Sequence, residues 1–298
     1  MSIRIIQLSG WLRAALASIA AASAMAPAHA IDTDPGDWSA PPAGANLLLV
    51  YAQHANRDTL YTDGQKTSNA KLSSDVAILR YVRPFEWSGM VVAPQVLLPW
   101  AGLRTGGAVD GLGNGSGMGD LILASPVWIA RADAASRNSF AIAPYLVLPT
   151  GDYEKGKALN IGENRWKAIL QFGANYQLSK QLDAEGAIDA TLFGRNKDAG
   201  LGADVLEQSA IYQLQGSLNW HHSPGTLLAV GLSHSMGGLQ KLNGVSMDNR
   251  MKTTKASVTA STFVSPTVQL MMSVGRDLKI DNGFKESSRV NFRVLKVF

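Results

Sequence analysis

Apolar and polar residues alternate with a period of two in the second half of the chain. Between Trp166 and Tyr176 every second side chain is apolar or aromatic, while Lys167, Gln171 and Asn175 belong to the other face. Neighbouring side chains of a β-strand point to opposite faces, whereas a helix repeats about every 3.6 residues. The pattern therefore predicts a strand with one apolar and one polar face.

A short connection at 178–181, followed by a second alternating stretch, predicts a hairpin. If the turn sets the register, Gln171 faces Asp189 and Asn175 faces Glu185, so amide groups lie opposite carboxylates on the polar face. A slip of one residue would move all these polar groups to the apolar side. The register is therefore a specific expectation.

The same reading along the chain predicts twelve strands. Short and long connections alternate, which is typical of bacterial outer-membrane barrels. The predicted fold is an all-β, closed antiparallel transmembrane β-barrel of twelve strands with both termini in the periplasm. The N-terminal candidate strands are 47–53, 72–82, 90–100, 121–129 and 140–148. The predicted long connections are 54–70, 101–118, 149–164, 194–206, 237–250 and 278–287.

The N-terminal half fits this pattern less well. The stretches 47–50 and 121–123 are apolar on both faces, and Pro94, Pro126 and Pro144 lie inside predicted strands. Proline cannot donate to a strand ladder, so each should mark a bulge or a strand end. A soluble lipocalin-like or sandwich fold, with the apolar runs as its core, is the alternative.

The N-terminus carries the features of a secretory signal. Arg4 and Arg13 precede the apolar run 14–25, and Ala28-His29-Ala30 offers the small residues that a signal peptidase accepts. We therefore expect a signal peptide at 1–30, a periplasmic N-terminal segment at 31–43 and an outer-membrane barrel at 44–298.

Composition excludes several other classes of protein. Hydrophobic residues make up 46% of the chain at a mean hydropathy of +0.01, yet no later segment offers 18 consecutive apolar residues for a membrane helix. The absence of cysteine removes thiol chemistry and suits an oxidising envelope. With 27 basic and 23 acidic residues, the charge is too balanced to indicate a nucleic-acid partner.

In the predicted barrel, the polar faces line the lumen and the apolar faces contact lipid and lipopolysaccharide. Two interpretations of the lumen remain open: a hydrated conduit, or an interior filled by side chains that satisfy one another. Aromatic residues near the strand ends predict a girdle of Trp166, Tyr176, Tyr212 and Trp220. The predicted lumen-lining residues are Lys167, Gln171, Asn175, Asp183, Glu185, Asp189, Gln213, Gln215, Asn219 and Arg293.

Several short glycine-containing motifs occur in a characteristic order. Gly119-Asp120, the run 149–153, the run 159–162 and Trp166 together resemble the meta-pathway phenol-degradation family. The similarity extends from about 44 to 298. It implies an outer-membrane barrel for passive uptake of small aromatic or hydrophobic organic compounds, and it carries over no catalytic residue.

Candidate chemical sites are weak. The glycine-rich stretch 111–119 lacks the lysine of a phosphate loop, so it predicts an external loop that is able to fold inward and gate the lumen. Acidic residues in the loop at 152–163 are interleaved with lysines and predict solvated charge. The histidines lack ligands at recognised spacing, so neither a metal nor a cofactor is expected.

An outer-membrane hydrolase is the enzymatic alternative. His221 and Ser223 have the spacing found in outer-membrane phospholipases, but they fall in a predicted periplasmic turn. We therefore predict that the chain is not an enzyme. A structural or lipid-modifying barrel is the second hypothesis for its function.

The C-terminal strand predicts an assembly signal. Phe292, Val294 and the terminal Phe298 share one face and resemble the signal that the barrel-insertion machinery recognises. Lys296 occupies a position where such signals usually carry an apolar residue. The insertion machinery is thus an expected partner.

Overall fold

The computed structural model describes residues 31–133, 135–200 and 204–298. The predicted signal peptide at 1–30 lies outside the described residues. Within these ranges the chain forms twenty β-strands and one 3₁₀ helix, η1 (Asp110–Leu112). The strands are β1 (Leu47–Thr62), β2 (Gln65–Val82), β3 (Phe85–Trp87), β4 (Met90–Val92), β5 (Gln95–Gly107), β6 (Gly115–Met118), β7 (Ile122–Ala124), β8 (Val127–Ala130), β9 (Ser139–Val147), β10 (Lys167–Gln177), β11 (Leu182–Phe193), β12 (Asn196–Ala199), β13 (Asp204–Gln208), β14 (Ile211–Ser223), β15 (Thr226–Gly237), β16 (Gln240–Leu242), β17 (Val245–Ser246), β18 (Met251–Ser265), β19 (Val268–Ile280) and β20 (Gly283–Val297). In the described part of the chain, no helix has the length and apolar character needed to cross a membrane.

Twelve wall strands close into an antiparallel barrel. Three of them are interrupted, since β2 continues into β3, β4 into β5 and β7 into β8. The ring closes because β20 pairs with β1 and β9 pairs with β10. This confirms the predicted fold class and strand number. The order around the wall is β1, β2–β3, β4–β5, β7–β8, β9, β10, β11, β14, β15, β18, β19 and β20.

Prolines cause the three interruptions. Pro84, Pro94 and Pro126 each lie directly before the first residue of the second half-strand, where the missing N–H breaks the ladder. The wall stays joined because the preceding residues donate to the next strand. Arg83 donates its backbone N–H to the Pro94 carbonyl at 3.1 Å, and Ala93 donates to the Pro126 carbonyl at 2.9 Å. Two of the three predicted proline breaks, at Pro94 and Pro126, are thus confirmed.

Pro144 does not end a strand, so that expectation is wrong. It lies within β9, and its carbonyl accepts the Ser125 N–H at 3.2 Å. The N and C=O of one strand residue point to the same side, so the missing N–H of Pro144 faces the gap between β7 and β8. No ladder partner is needed there.

Several predicted long loops are in fact strand. β1 and β2 meet at a two-residue turn, where Asp63 and Gly64 both have positive φ, of 52° and 73°. Such a turn matches the twist of a hairpin. The expected loop at 54–70 is therefore wrong, and the loop at 278–287 is likewise replaced by the ends of β19 and β20. In addition, β12, β13, β16 and β17 form a separate four-stranded sheet.

The polarity of the two faces of the wall is the reverse of that in a water-soluble protein: the outward side chains are apolar and the inward side chains are largely polar. Outward side chains such as Leu214 and Val258 are about 60% exposed, while inward Gln171 is fully buried. The register predicted for the hairpin is confirmed, because Gln171 pairs with Asp189 and residue 175 with residue 185. Apolar residues outside and polar residues inside are the pattern of a barrel in lipid. The soluble alternative is therefore wrong.

Candidate functional site

All ten residues predicted to line the lumen are buried on inward positions of the wall. Each is at most 8% exposed. They belong to four wall strands, β10, β11, β14 and β20, so the alternation of these strands brings them together. The structure also shows what the sequence did not predict: residues 31–45, here called the N-terminal segment, occupy the lumen beside these residues.

The N-terminal segment lies within the barrel and is held by the predicted lumen residues. The side-chain amide of Gln215 donates to the Ile31 carbonyl at 2.9 Å and accepts the Thr33 N–H at 3.0 Å. The Gly36 N–H donates to the Glu185 carboxylate at 2.7 Å. These bonds satisfy polar groups of the segment that would otherwise be buried without partners.

Trp38 anchors the segment. Its side chain is 4% exposed and packs against the backbone of Gly173, where any β-carbon would overlap the indole. The Trp38 carbonyl accepts two hydrogen bonds, from Trp128 Nε1 at 2.8 Å and from Ser139 Oγ at 2.7 Å. The buried indole ring, together with two hydrogen bonds to the backbone carbonyl of the same residue, gives the segment a defined position in the lumen.

Three acidic residues of the segment pair with cations of the wall. Arg293 donates to Asp34 at 2.9 Å and to Asp37 at 3.1 Å. Arg289 donates to Asp32 at 2.9 Å. Lys255 and Arg80 add longer ion pairs, with Asp32 and with Asp37, at 3.9 and 3.8 Å. The segment is therefore bound electrostatically as well as by packing.

At the opposite end of the barrel, the 149–166 loop folds inward. Its Leu159 is 1% exposed and its Ile161 is also buried. Both pack against inward residues of the wall, including Leu72 and Leu103. In the predicted gating loop at 111–119, residues 115–118 form β6 and pair with β5, while Leu112 packs against the same cluster as Leu159.

The motifs behind the family resemblance build this inward loop. Asp120 accepts the N–H groups of Gly151 at 2.9 Å and Glu163 at 3.0 Å. Asp152 exchanges hydrogen bonds with the backbone of Met118. A β-carbon at Gly162 would come within 2.6 Å of the Gly151 backbone, and a β-carbon at Gly151 would come within 2.7 Å of the Asp120 backbone. The two ends of the loop and the start of β7 therefore approach one another closely only because both positions are glycine.

Glu163 locks the base of the loop to the wall. It accepts hydrogen bonds from Arg165 at 2.6 Å and from Lys167 at 2.7 Å. Burial by itself would raise the pKa of Glu163, but the two cations outweigh it and lower the pKa to about 2. The predicted lumen residue Lys167 therefore serves as a loop contact, and Glu163 is not the solvated charge that the sequence analysis expected.

A cavity of about 360 Å³ lies in the lumen between the N-terminal segment and the wall residues that pack against the 149–166 loop. It borders Asp32 and Trp38 and reaches Leu103. One sector of its wall is apolar, with inward side chains Val76, Ile78, Leu97, Leu103 and Ile122 from β2, β5 and β7. The neighbouring sector is charged, with Arg57, Lys255, Asp277, Glu286 and Arg289.

At the end of the barrel away from the 149–166 loop, Asp183 connects the region before β9 to the end of β14. Arg137 donates to both of its carboxylate oxygens, at 2.9 and 2.7 Å, and His221 lies 2.8 Å away. Asn175, which lies opposite Glu185 in the strand register, donates its side-chain hydrogen bond to Asp183 at 3.3 Å. His221, a member of the hydrolase alternative, is thus engaged with a carboxylate, and Ser223 is exposed.

The remaining predicted residues lie on the outer face. Trp166, Tyr176, Tyr212 and Trp220 are exposed near strand ends, and Phe292 and Phe298 are also exposed. Phe298 exchanges backbone hydrogen bonds with Asn46 at 2.9 and 3.0 Å, next to the seam between β20 and β1. Among the described residues, no group of three or more His, Cys, Asp or Glu side chains is arranged to hold a metal ion.

Comparison with known proteins identifies the family. The family model described as "Putative MetA-pathway of phenol degradation" matches residues 57–294. The chain belongs to this family. A crystal structure of an outer-membrane channel from Pseudomonas putida F1 is 38% identical, with coverage of 90% of this chain and 100% of that chain and a TM-score of 0.87. No curated protein sequence matches the chain.

Two more distant structures share the barrel fold with this member of the phenol-degradation family. The β domain of the Bordetella autotransporter BrkA is 11% identical, covers 86% of this chain and 100% of its own, and has a TM-score of 0.52. A mutant of the monoaromatic hydrocarbon channel TodX is also 11% identical, with coverage of 86% and 91% and a TM-score of 0.50. The closed barrel and the Pseudomonas relative place this family member in the bacterial outer membrane, so its apolar outer face contacts lipid.

Sequence reasoning missed both lumen occupants for a physical reason. The N-terminal segment and the 149–166 loop have no alternation, and their contacts join residues far apart in the chain: Thr33 and Gln215 are 182 positions apart, and Leu159 packs in one cluster with Leu72. One signal was present: Trp38 is a large aromatic residue in an otherwise polar stretch with Asp32, Asp34 and Asp37. A buried anchor with charged neighbours fits that composition.

Proposed function

We propose that this protein is an outer-membrane channel for passive uptake of small organic, aromatic or hydrophobic compounds. Membership of the phenol-degradation family and the similarity to the Pseudomonas outer-membrane channel support this function. The TodX similarity supports only the fold. Nothing in the proposal requires a catalytic residue.

The apolar sector of the lumen carries the proposal. Most inward positions of β10, β11 and β14 are polar, whereas Val76, Ile78 and Leu97 of β2 and β5 expose apolar side chains to the cavity. A lumen filled with water alone has no need of such a surface, because burying apolar area is favourable only against another apolar group. An aromatic or aliphatic solute supplies that group.

Passage requires both lumen occupants to move. The N-terminal segment and the 149–166 loop are held by side-chain bonds and packing, and neither is paired along its length with the wall. Elements of this kind open at a lower free energy than the strands around them. Solute flux would then be set by the frequency of these openings.

For the orientation, we infer that residues 1–30 are a cleaved signal and that both termini are periplasmic. The N-terminal segment then enters the lumen from the periplasm, and the 149–166 loop lies on the outside, near lipopolysaccharide. The four-stranded sheet of β12, β13, β16 and β17 would be extracellular. The connections that contain the 149–166 loop and the four-stranded sheet all leave the same end of the wall, and long connections at one end support this orientation.

A charged substitution in the apolar sector tests the function. Ile78→Asp should reduce uptake of a radiolabelled phenol by intact cells, because a carboxylate in the cavity removes the surface that the ring would contact. The matched control is Ser233→Asp, which adds the same charge to a polar part of the same cavity. Planar-bilayer recording of both refolded variants shows whether ions still pass.

Selective loss of phenol uptake in Ile78→Asp supports the proposal. Equal uptake in both variants, or the same uptake in cells without the protein, contradicts it. If the wild type conducts no ions and transports no solute even after removal of residues 31–45, the barrel is structural, and the second hypothesis replaces the first.

A further inference from the structure

Four cations form a row on the inner wall: Arg80 on β2, Arg289 and Arg293 on β20, and Lys255 on β18. We propose that this cationic row is a carboxylate-binding site and that the natural solutes are aromatic monoanions, whose place the N-terminal segment occupies. The inference rests on the proposed channel function and narrows its solute class to aromatic acids.

The first observation is what now occupies the row. Every cation of the row has an ion pair with an aspartate of the N-terminal segment: Arg293 with Asp34 and Asp37, Arg289 and Lys255 with Asp32, and Arg80 with Asp37. These carboxylates do not belong to the wall. Arg289 and Lys255 also pair with Glu286 of the wall, at 2.8 and 3.9 Å, whereas the ion pairs of Arg80 and Arg293 among the described residues are with the segment alone. The wall therefore offers the guanidinium groups of Arg80 and Arg293 to whichever carboxylate enters from the lumen.

The second observation is that Arg293 takes its counter-charge from the segment. Among the described residues, the ion pairs of Arg293 are both with the segment, and its side chain is 6% exposed. Its other hydrogen bond is to the Gln269 amide at 2.9 Å. If the segment withdraws, the guanidinium of Arg293 loses both carboxylate partners and faces the opened lumen, where the carboxylate of a solute can replace them.

The third observation is the position of the apolar sector. Ile78 and Arg80 are both inward on β2, two residues and thus about 7 Å apart along the strand. Leu97 and Tyr51 flank the same region of the cavity. A solute with its carboxylate on the row can therefore place its ring on the apolar sector without leaving the wall.

Charge distinguishes this class from other solutes. A cation is repelled by the row, and a neutral phenol has no charge with which to replace an aspartate of the segment. Guanidinium groups bind carboxylates through two parallel hydrogen bonds, which favours a planar carboxylate over a halide ion. An aromatic carboxylate combines this group with a ring of suitable size.

The test measures binding of benzoate to refolded full-length protein in planar bilayers. Sodium benzoate at millimolar concentration should interrupt the ion current, and benzyl alcohol, its neutral counterpart, should not. Arg293→Gln should weaken the benzoate effect about tenfold, which corresponds to the loss of one strong charged contact. The matched control is Arg104→Gln, which removes the same charge from a side chain that is 65% exposed on the outer face.

A second variant keeps the inference testable if Arg293→Gln does not fold. Asp34→Asn combined with Asp37→Asn frees Arg293 from its occupant, so benzoate should bind about tenfold more tightly than in the wild type. Heat-modifiable migration on a gel verifies that each barrel is folded before measurement.

The outcomes separate the two proposals. If benzoate acts equally on wild type, Arg293→Gln and Arg104→Gln, or if benzyl alcohol acts as strongly as benzoate, the cationic row is not a carboxylate site while the channel function stands. If neither ions nor solutes pass through any variant, including one without residues 31–45, the channel function itself is wrong and this inference falls with it.

Discussion

The indole of Trp38 lies against the backbone of Gly173, at a position of β10 where a β-carbon would overlap the ring. Gly173 is inward, between Gln171 and Asn175, and the indole of Trp38 occupies the space that a side chain at this position would fill. A single missing side chain in the wall thus decides where the segment docks.

Gly173→Ala should therefore release the segment. The added methyl group forces the buried indole to move, which weakens the bonds from Trp128 and Ser139 to the Trp38 carbonyl. Because the chain has no cysteine, a Thr33→Cys background reports the release through faster labelling by an impermeant maleimide. Gly186→Ala, where the nearest atom to the new methyl is 3.8 Å away, is the control. Unchanged labelling in Gly173→Ala would show that Trp38 is not the anchor.

Leu159→Ala should open the other end of the lumen. A buried leucine changed to alanine typically costs about 2–5 kcal/mol, and here the cost falls on docking of the 149–166 loop rather than on the wall. We expect higher conductance in planar bilayers with little change in the thermal unfolding temperature. Leu192→Ala, on the exposed outer face, should leave conductance as it is. Identical traces for the two variants would argue against a gate at Leu159.

Acid should detach the same loop. The pKa of Glu163 is lowered to about 2 from its ordinary value of 4.5. A lowered pKa stabilises the docked loop at pH values above about 4.5, and this stabilisation is lost as the pH falls toward 2. Conductance should rise over that window. In Glu163→Gln the step should disappear, and its persistence would assign the effect to another group.

Asp183→Asn should destabilise the barrel. The Asp183 carboxylate accepts hydrogen bonds from Arg137 and Asn175 and contacts His221. A hydrogen bond to a charged group contributes about 1.5–3 kcal/mol to the free energy of unfolding. We expect a lower urea midpoint, corresponding to a total loss of about 1–3 kcal/mol because Arg137 is partly exposed. Asp198→Asn, at an exposed ion pair with Lys155, should change the midpoint little.

Deleting Phe298 should lower the yield of inserted barrel. The residue pairs with Asn46 next to the seam where β20 meets β1, and its ring is exposed for recognition. Phe298→Tyr keeps both the backbone bonds and an aromatic ring, so it should insert nearly normally. The measurement is the amount of heat-modifiable protein in outer-membrane fractions. Equal yields for the deletion and the wild type would contradict an assembly role.

Alternation made the wall predictable from the sequence. Each strand must satisfy lipid on one side and a polar interior on the other, so the sequence repeats with a period of two, and the turn fixes the register between Gln171 and Asp189. The same rule could not locate strand ends. Above the membrane both faces of a strand are polar, which is why β1 and β2 were expected to end before their turn at Asp63–Gly64.

By itself, then, the sequence determined the barrel, its twelve strands and which side chains face inward, because these follow from neighbours along one strand. The contents of the lumen were decided only by the tertiary structure. Trp38 meets Gly173, Asp34 meets Arg293 and Leu159 meets Leu72 across distances in sequence that no local pattern spans. Closure of the barrel brings these residues together, and their packing and charge then hold the N-terminal segment and the 149–166 loop in the lumen. Neither of these two elements has a periodic sequence pattern from which its position could be predicted.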